Sequence, residues 1–332
     1  MRLAKFLLSR LLTYILVIWI GVTIVFFVPR FMPSNPVEAI LGRIMSQGAT
    51  MRPEQVEAMR ATLMQTFGLE GTLGEQYVNF LRRVLLGGDF GPSLAMFPTP
   101  VNELIGHALP WTLVLLLSST IIAWIIGSAI GLIAGYLRHK PYSKALEAVA
   151  VVLYPIPYYI SALILIILFV YVNPIFPLSF NVRGAPASLE FISSAIYNSI
   201  LPALSIVIVG SGWWVLSMKA LSTSLAEEDF VYFAKLKGVG ERRIMIQYVT
   251  RNAILPQITF LALQLGGIFN GALITEILFG YPGLGSLTYN AVLQADYNLL
   301  MGTITISIIA VSTATLLVDL VYPLFDPRIQ HR

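Results

Sequence analysis

The sequence predicts an all-α, polytopic membrane protein with six transmembrane helices. Only 11% of its 332 residues are charged, whereas a soluble domain of this length carries about 25%. Its mean hydropathy is +0.78, and several apolar runs exceed the roughly 18 residues that mark a candidate membrane span. The chain also contains no cysteine, which excludes disulfides and thiolate metal sites.

The apolar runs place the six spans in chain order. The first run follows three basic residues, and we expect a permanent span because it is longer than the roughly 7–15-residue core of a secretory signal. The predicted spans cover residues 8–31, 107–137, 145–172, 197–218, 256–279 and 300–322. Several exceed about 20 residues, which predicts tilt or extension beyond the bilayer.

The basic residues between the spans predict the orientation. Three of them lie in the loop between spans two and three, and five lie at 235–251, within the segment between spans four and five. The loops on the opposite side, 173–196 and 280–299, contain a single basic residue, Arg183. Because short loops rich in Lys and Arg stay in the cytoplasm, we expect both termini to be cytoplasmic.

The segment between the first two spans has an amphipathic pattern of its own. Apolar residues recur at helical spacing in 52–68 and again in 75–87. We therefore predict a small helical extracytoplasmic subdomain. The complete division has four parts. They are an N-terminal segment with the first span at 1–31, this subdomain at 32–106, a transmembrane core of five helices at 107–322 that contains a cytoplasmic segment at 221–255, and a cytoplasmic tail at 323–332.

Small residues form two stripes within the spans. Gly127, Gly131 and Gly135 recur every four residues in span two, and Gly267 and Gly271 do so in span five. Because small residues let helix backbones approach closely in lipid, packing between helices is the favoured interpretation. Sliding of these faces during a conformational cycle stays open.

Span three contains two prolines, and span four contains two tryptophans. Pro155 and Pro157 each remove a helical hydrogen-bond donor and predict a kink, which could serve a gate or only shape the helix. Trp213 and Trp214 lie close to the cytoplasmic end of span four. Anchoring at the membrane interface is their favoured role, and contact with a passing solute is the alternative.

The chain lacks the motifs of a bond-breaking enzyme. It contains no GxxxxGK[ST] phosphate loop and no HExxH pair. Its three histidines, His107, His139 and His331, lie in different loops or ends. The sequence therefore predicts neither a catalytic site nor a cofactor in this chain.

A basic segment, FAKLKGVGERRIMIQYVTRNAILP at 233–256, interrupts the apolar sequence. It contains five basic residues and one acid. We expect a short helix with an apolar side up to Leu236, a turn bracketed by Gly238 and Gly240, and a second helix that runs to Pro256. Taken alone, this pattern also fits an ordinary positive-inside loop with an interfacial helix.

This segment resembles the cytoplasmic signature of ATP-binding-cassette importer permeases. Ala234, Gly238 and the Ile-Leu-Pro ending at 254–256 match that signature, whereas Tyr232 and Phe233 replace its Glu and first Ala. The resemblance to the dipeptide/oligopeptide/nickel branch extends in order along nearly the whole chain. The matching stretches are NPVEAILG, PEQVEAMRATL, GDFGPSL, PVNELIGHALPWTL, LQLGG, YPGLG and DPR.

The resemblance implies a non-catalytic permease subunit of an importer in a prokaryotic plasma membrane. It implies that ATP and Mg²⁺ are bound by one or two separate ATPase subunits. Other implied partners are a second homologous permease, a soluble or lipid-anchored substrate-binding protein and membrane lipid, with no nucleic acid. The residues implied to couple this chain to the ATPase are Phe233, Ala234, Lys237, Gly238, Arg242 and Arg243.

The resemblance favours short peptides as cargo, with oligosaccharides, opines and metal chelates as alternatives. Nickel is disfavoured because histidine is scarce and cysteine absent, and the aromatic stretch at 211–222 suits sugar rings. Polar groups at membrane depth are costly and therefore candidates for function, although each can also bond to a neighbouring helix. Residues expected to line the path are Tyr154, Trp213, Gln264 and Asn270.

Two rival functions are a secondary transporter or channel and a membrane enzyme. The spans contain few ionisable residues for a proton relay, and inverted repeats around broken helices are not evident. A membrane enzyme would need paired catalytic groups, which the sequence does not contain.

Overall fold

The computed structural model describes residues 2–31, 36–46, 51–266 and 273–325. These ranges contain helices and no β-strand beyond an isolated bridge of Pro92 with Pro100, which confirms the predicted all-α class. The helices are α1 Arg2–Phe27, α2 Pro36–Ser46, α3 Pro53–Thr66, α4 Leu73–Leu81, α5 Val101–Tyr136, α6 Pro141–Leu153, α7 Tyr158–Ile166, α8 Leu189–Ala226, α9 Asp229–Leu236, α10 Glu241–Arg243, α11 Arg251–Gly266, α12 Leu273–Leu278, α13 Leu284–Leu293 and α14 Tyr297–Phe325. Wider π-helical turns continue α4 over Arg82–Leu86, α7 over Ile167–Val172 and α10 over Ile244–Thr250.

Four helices within the described ranges are long and apolar enough to cross a membrane. They include Leu7–Phe27 of α1, all of α5 and α8, and Tyr297–Leu320 of α14. A bent pair, α6 with α7, brings the count to five if it forms one span. The predicted count of six is therefore not confirmed. The remaining predicted span, 256–279, includes residues 267–272, which lie outside the described residues.

The predicted third span, 145–172, is two helices rather than one kinked helix. The chain bends by 99° between Pro141–Leu153 and Tyr158–Val172. Tyr154 still donates its amide to the Ala150 carbonyl at 2.9 Å, but Pro155 and Pro157 have no amide hydrogen to continue the ladder. Two prolines in three residues thus convert the expected kink into a break.

One compact unit comprises Met1–Thr112 and Pro282–Leu316. Its helices α3 and α4 coincide with the two amphipathic segments of the sequence. At the start of α4, the Thr72 amide donates to the Glu75 carboxylate at 2.7 Å, and the Thr72 hydroxyl accepts from the Glu75 amide at 3.3 Å. Hydrogen bonds from Thr72, the backbone amide first, lower the pKa of the Glu75 carboxyl. This reciprocal cap fixes the beginning of the helix.

A buried carboxylate organises the outer part of the same unit. Asp296 is fully buried and accepts a hydrogen bond from the Ser93 hydroxyl. It also accepts from the amides of Ala95 and Leu299, each at 3.0 Å. The loop that carries Ser93 is thereby bound to the beginning of α14. The sequence analysis did not identify this tie.

The second compact unit comprises Leu113–Tyr281 and Leu317–Arg332, and within it α5 lies directly against the backbone of α8. A Cβ atom built on Gly127 would lie 2.7 Å from the Ser211 carbonyl oxygen, and one on Gly135 would lie 2.5 Å from that of Lys219. A Cβ on Gly131 would overlap the Val215 carbonyl oxygen. The glycine stripe of α5 therefore packs α5 against α8 within this chain.

Replacing Gly131 with alanine should destabilise the protein, because the new methyl group would overlap backbone atoms that cannot move independently. Overpacking of this kind costs about 1–3 kcal/mol. Gly106→Ala is the matched control, since Gly106 lies on the same helix with no atom within 4 Å of its built Cβ. We expect the apparent melting temperature of purified protein to fall for Gly131→Ala only. If Gly131→Ala and Gly106→Ala had the same apparent melting temperature, the close contact between α5 and α8 at Gly131 would be contradicted.

Candidate functional site

A cavity of about 690 Å³ lies within the second unit. Its wall is formed by α5, the break between α6 and α7, and parts of α8, α11 and α12. Three of the four predicted lining residues, Tyr154, Trp213 and Gln264, lie on this wall. The fourth, Asn270, lies outside the described residues. The sequence thus identified side chains from three separate segments that the fold brings together.

Five aromatic side chains are among the residues that line the cavity. Tyr154, Tyr158 and Tyr159 come from the helix break, and Trp213 and Trp214 come from α8. The two indole rings are 4.6 Å apart between centroids, at an interplanar angle of 82°. Such an edge-to-face arrangement is a favourable geometry for aromatic pairs. Because the chain bends between α6 and α7, Tyr154, Tyr158 and Tyr159 all line the same cavity.

The two tryptophans have different roles within the chain. Trp214 is only 3% exposed, and its Cβ lies where a side chain at Gly127 would otherwise be. It therefore belongs to the contact between α5 and α8, and burial inside the protein does not suit an interfacial anchor. Trp213 is half-buried, packs edge-to-face on Phe260 at 5.6 Å and lines the cavity.

A buried amide joins α11 to α8. Gln257 is fully buried, and its side-chain NH₂ donates to the Ser217 hydroxyl at 3.0 Å. A helix–helix hydrogen bond of this kind was an expected alternative for Gln264 and was not predicted for Gln257, which directly follows the basic segment. A polar residue following Pro256 was the available signal. Gln264, by contrast, lies on the cavity wall.

The basic segment folds as α9, a glycine turn and the helix that begins at Glu241. Gly238 has φ +75°, a left-handed conformation that only glycine adopts without strain. Its amide donates to the Lys235 carbonyl at 2.9 Å, and the Val239 amide donates to the Ala234 carbonyl at 3.1 Å. These two hydrogen bonds end α9 in a left-handed C-cap. The expected helix, turn and second helix are confirmed, but the expected end at Pro256 is wrong, because the second helix continues through Pro256 to Gly266.

α9 has apolar side chains on two faces. Val231 and Ala234 are buried against Ile244 and Val249 of the following helix. On the outer face, Tyr232, Phe233 and Leu236 are 60%, 59% and 65% exposed. An inner apolar face explains why the segment folds, whereas none of the residues that the structure describes covers the outer one.

The structure separates the six predicted coupling residues into exposed and buried positions. Ala234 lies in the small core beneath α9 and presents no surface. Phe233 lies on the outer apolar face, and Lys237, Gly238, Arg242 and Arg243 are exposed as well. Arg243 is held by a 2.8 Å hydrogen bond from its Nε to the Gln247 side chain. Exposed cations thus follow the exposed aromatic face along the chain.

The end of α5 is tied to this segment. The Tyr136 hydroxyl donates to the Glu241 carboxylate, and the Lys235 ammonium lies 5.7 Å from the centre of the Tyr136 ring. Two residues further on, Arg138 pairs with Glu227, which precedes α9. The sequence analysis missed Tyr136; the signal was Glu241, the single acid among five bases.

Comparison with known proteins gives concordant matches over both halves of the chain. Residues 127–331 match the family model described as binding-protein-dependent transport system inner membrane component, and residues 3–115 match its N-terminal counterpart. The oligopeptide transport system permease protein AppB of Bacillus subtilis is 30% identical over 325 residues, covering 95% of this chain and 96% of its own length. The oligopeptide transport system permease protein OppB of Escherichia coli K12 is 28% identical over 330 residues, covering 98% and 99%. The dipeptide transport system permease protein DppB of Bacillus subtilis is 26% identical over 330 residues, covering 98% of each chain.

Removing the hydroxyl of Tyr136 should loosen the basic segment from α5. Tyr136→Phe keeps the ring and deletes the hydrogen bond to Glu241, a loss of about 1 kcal/mol for a partly exposed pair. Amide hydrogen exchange over 229–250 should then accelerate by about fivefold. Tyr142→Phe, at an exposed position on the neighbouring α6, is the control. Unchanged exchange in Tyr136→Phe would show that the tie is unimportant.

Proposed function

From the premise that this chain belongs to the binding-protein-dependent transport system inner membrane components, we propose that it imports short peptides together with a second, homologous permease. Membership of the family makes the chain a non-catalytic permease subunit of an ATP-binding-cassette importer in the inner membrane. This membership is the reason to reject the rival functions of secondary transporter, channel and membrane enzyme.

One observation carries the proposed mechanism: Tyr232, Phe233 and Leu236 form an exposed apolar face on α9, and exposed cations follow it along the chain at Lys237, Arg242 and Arg243. A surface that docks another protein combines an apolar centre with a polar, charged rim. An ATPase subunit with an acidic-rimmed groove would complement it, and the rim charges would guide its approach. ATP and Mg²⁺ are bound by that partner in this proposal.

The orientation follows from this docking surface. The basic segment faces the cytoplasm, as the positive-inside rule requires, and both termini lie on the same side. The helices at 36–86 then lie outside the membrane, where they offer a docking platform for a soluble or lipid-anchored substrate-binding protein. The division at 1–31, 32–106, 107–322 and 323–332 is part of this proposal.

The cavity provides this chain's side of the translocation path, and the second permease provides the other side. The path is connected to the docking surface by two helices: Ala123 on α5 and Trp213 on α8 line the cavity, and the ends of the same helices hold α9. Closure of the ATPase would therefore move the docking surface and the cavity wall together.

Short peptides are the proposed cargo because the printed names of the similar permeases specify oligopeptides and dipeptides. A second candidate is an oligosaccharide. It is favoured by the aromatic wall, because aromatic rings stack on the faces of sugar rings as well as on other aromatic rings.

Replacing Phe233 with aspartate should weaken assembly with the ATPase, because it places a carboxylate at the centre of the apolar face. Tagged wild-type chain, purified gently from its own host, should carry a second permease and one or two ATPases with phosphate-loop motifs. Phe233→Asp should recover at least about tenfold less ATPase, while the second permease is retained. Tyr142→Asp, exposed on α6, is the matched control. A wild-type chain recovered without either partner would contradict the proposal.

A reversible cross-link tests whether α5 and α8 move together or slide. The Cβ of Ala123 lies 3.5 Å from a Cβ built on Gly210, within the roughly 3.5–4.5 Å that a disulfide spans. In this cysteine-free chain, the double variant Ala123→Cys with Gly210→Cys should form one disulfide. If the helices move together, oxidised and reduced complexes should transport within about twofold of each other.

The single variants Ala123→Cys and Gly210→Cys control for the substitutions themselves. Transport that stops on oxidation and returns on reduction in the double variant alone would show that the two faces slide.

A further inference from the structure

The cavity wall combines aromatic rings with uncharged polar groups. Five rings line it, from three tyrosines and two tryptophans. Thr120, Thr275 and Gln264 add two hydroxyls and an amide. Among the described residues that form this wall, none carries a carboxylate, ammonium, guanidinium or imidazole group. A volume of about 690 Å³ falls within the roughly 300–1,000 Å³ of pockets that bind small molecules.

The charged residues on the described parts of the surrounding helices do not line this wall. Lys219 of α8 pairs with Glu147 of α6. Glu276, beside the wall residue Thr275, is fully buried and does not line the cavity. A charge fixed on the wall at membrane depth would attract or repel a charged cargo strongly, because little water screens it. An uncharged wall treats cations and anions alike.

Some of the rings on the cavity wall are not buried against neighbouring helices. Trp214 serves the contact with α5, as its burial shows. Tyr154 and Tyr159, however, are 52% and 38% exposed. Ring faces left open on a cavity wall can stack on a flat partner, and such contacts contribute about 0.5–1.5 kcal/mol beyond area burial.

We propose that this wall recognises uncharged six-membered ring faces on the cargo and does not discriminate by cargo charge. The ring can come from an aromatic side chain of a peptide or from the pyranose of an oligosaccharide, since both present an uncharged ring face that can stack on an aromatic ring. The inference rests on the proposed function, since it assigns a cargo preference to the proposed path.

The first test removes one ring from the wall of the assembled, ATP-driven importer in liposomes. Tyr154→Leu deletes the ring with little loss of volume, and Tyr154→Phe keeps it. The cargoes are trialanine, a tripeptide with a central phenylalanine, and cellotriose, each supplied with saturating substrate-binding protein. Wild type and variants are assayed with the same binding protein. For each cargo, the uptake rate of the variant is divided by that of wild type, and the selectivity of the binding protein cancels in this ratio.

Tyr154→Leu should lower uptake of the ring-bearing cargo by about two- to tenfold relative to trialanine. Tyr154→Phe should restore the wild-type ratio. If only uptake of the phenylalanine peptide falls relative to trialanine, the recognised ring is a peptide side chain. If only uptake of cellotriose falls, the recognised ring is a sugar. An equal loss for every cargo would overturn the proposal, because it would show only a structural role. If Tyr154→Leu does not assemble, Trp213→Leu against Trp213→Phe provides the same comparison.

The second test introduces a charge at the wall. Wild type should import tripeptides with a central lysine or a central glutamate at rates within about twofold of each other. Gln264→Glu and Gln264→Lys should change that ratio by about tenfold in opposite directions. A wild-type preference for one charge, at saturating binding protein, would overturn the proposal. Failure of wild type to import any cargo with ATP would instead refute the proposed function.

Discussion

The contact between the backbones of α5 and α8 is the constraint on which the second unit depends. Apolar side chains give helices little reason to associate in lipid, so close backbone approach over small residues supplies much of the packing. At Gly127, Gly131 and Gly135 the neighbouring helix occupies the space of a side chain over more than two turns. Since α5 and α8 each contribute to the cavity wall and to the support of α9, this one contact joins the cavity to the basic segment.

The break between α6 and α7 has the opposite role, because it opens space rather than closing it. Helix-breaking prolines are tolerated at membrane depth where the freed backbone is buried in protein or lines a cavity. Here Gly212 of α8 lies against the break, and a Cβ on it would approach the Tyr154 amide to 3.0 Å. The break can therefore lie against a continuous helix, and the tyrosines beside it turn towards the cavity.

The sequence predicted the helical class, the basic segment and three cavity residues, because each has a local signature. Span length follows from apolar runs, the turn at Gly238 follows from glycine spacing, and Tyr154 and Trp213 stand out as aromatic residues beside prolines and small residues. The ties made by Tyr136, Gln257 and Asp296 were missed, because each joins residues from separate segments of the chain. The break at 154–157 was underestimated, because propensity indicates where a helix bends but not by how much.

Charge is distributed between the two candidate sites in a way that matches their tasks. The outer side of α9 combines exposed apolar groups with cations, which suits a contact that must form and release within water. The described residues of the cavity wall are aromatic, aliphatic or uncharged polar residues, so a cargo held there meets many weak contacts and no strong electrostatic trap. A path must bind cargo weakly enough to let it leave. Strong interactions at the docking surface and weak ones along the cavity are therefore what a subunit driven by a partner's ATP hydrolysis requires.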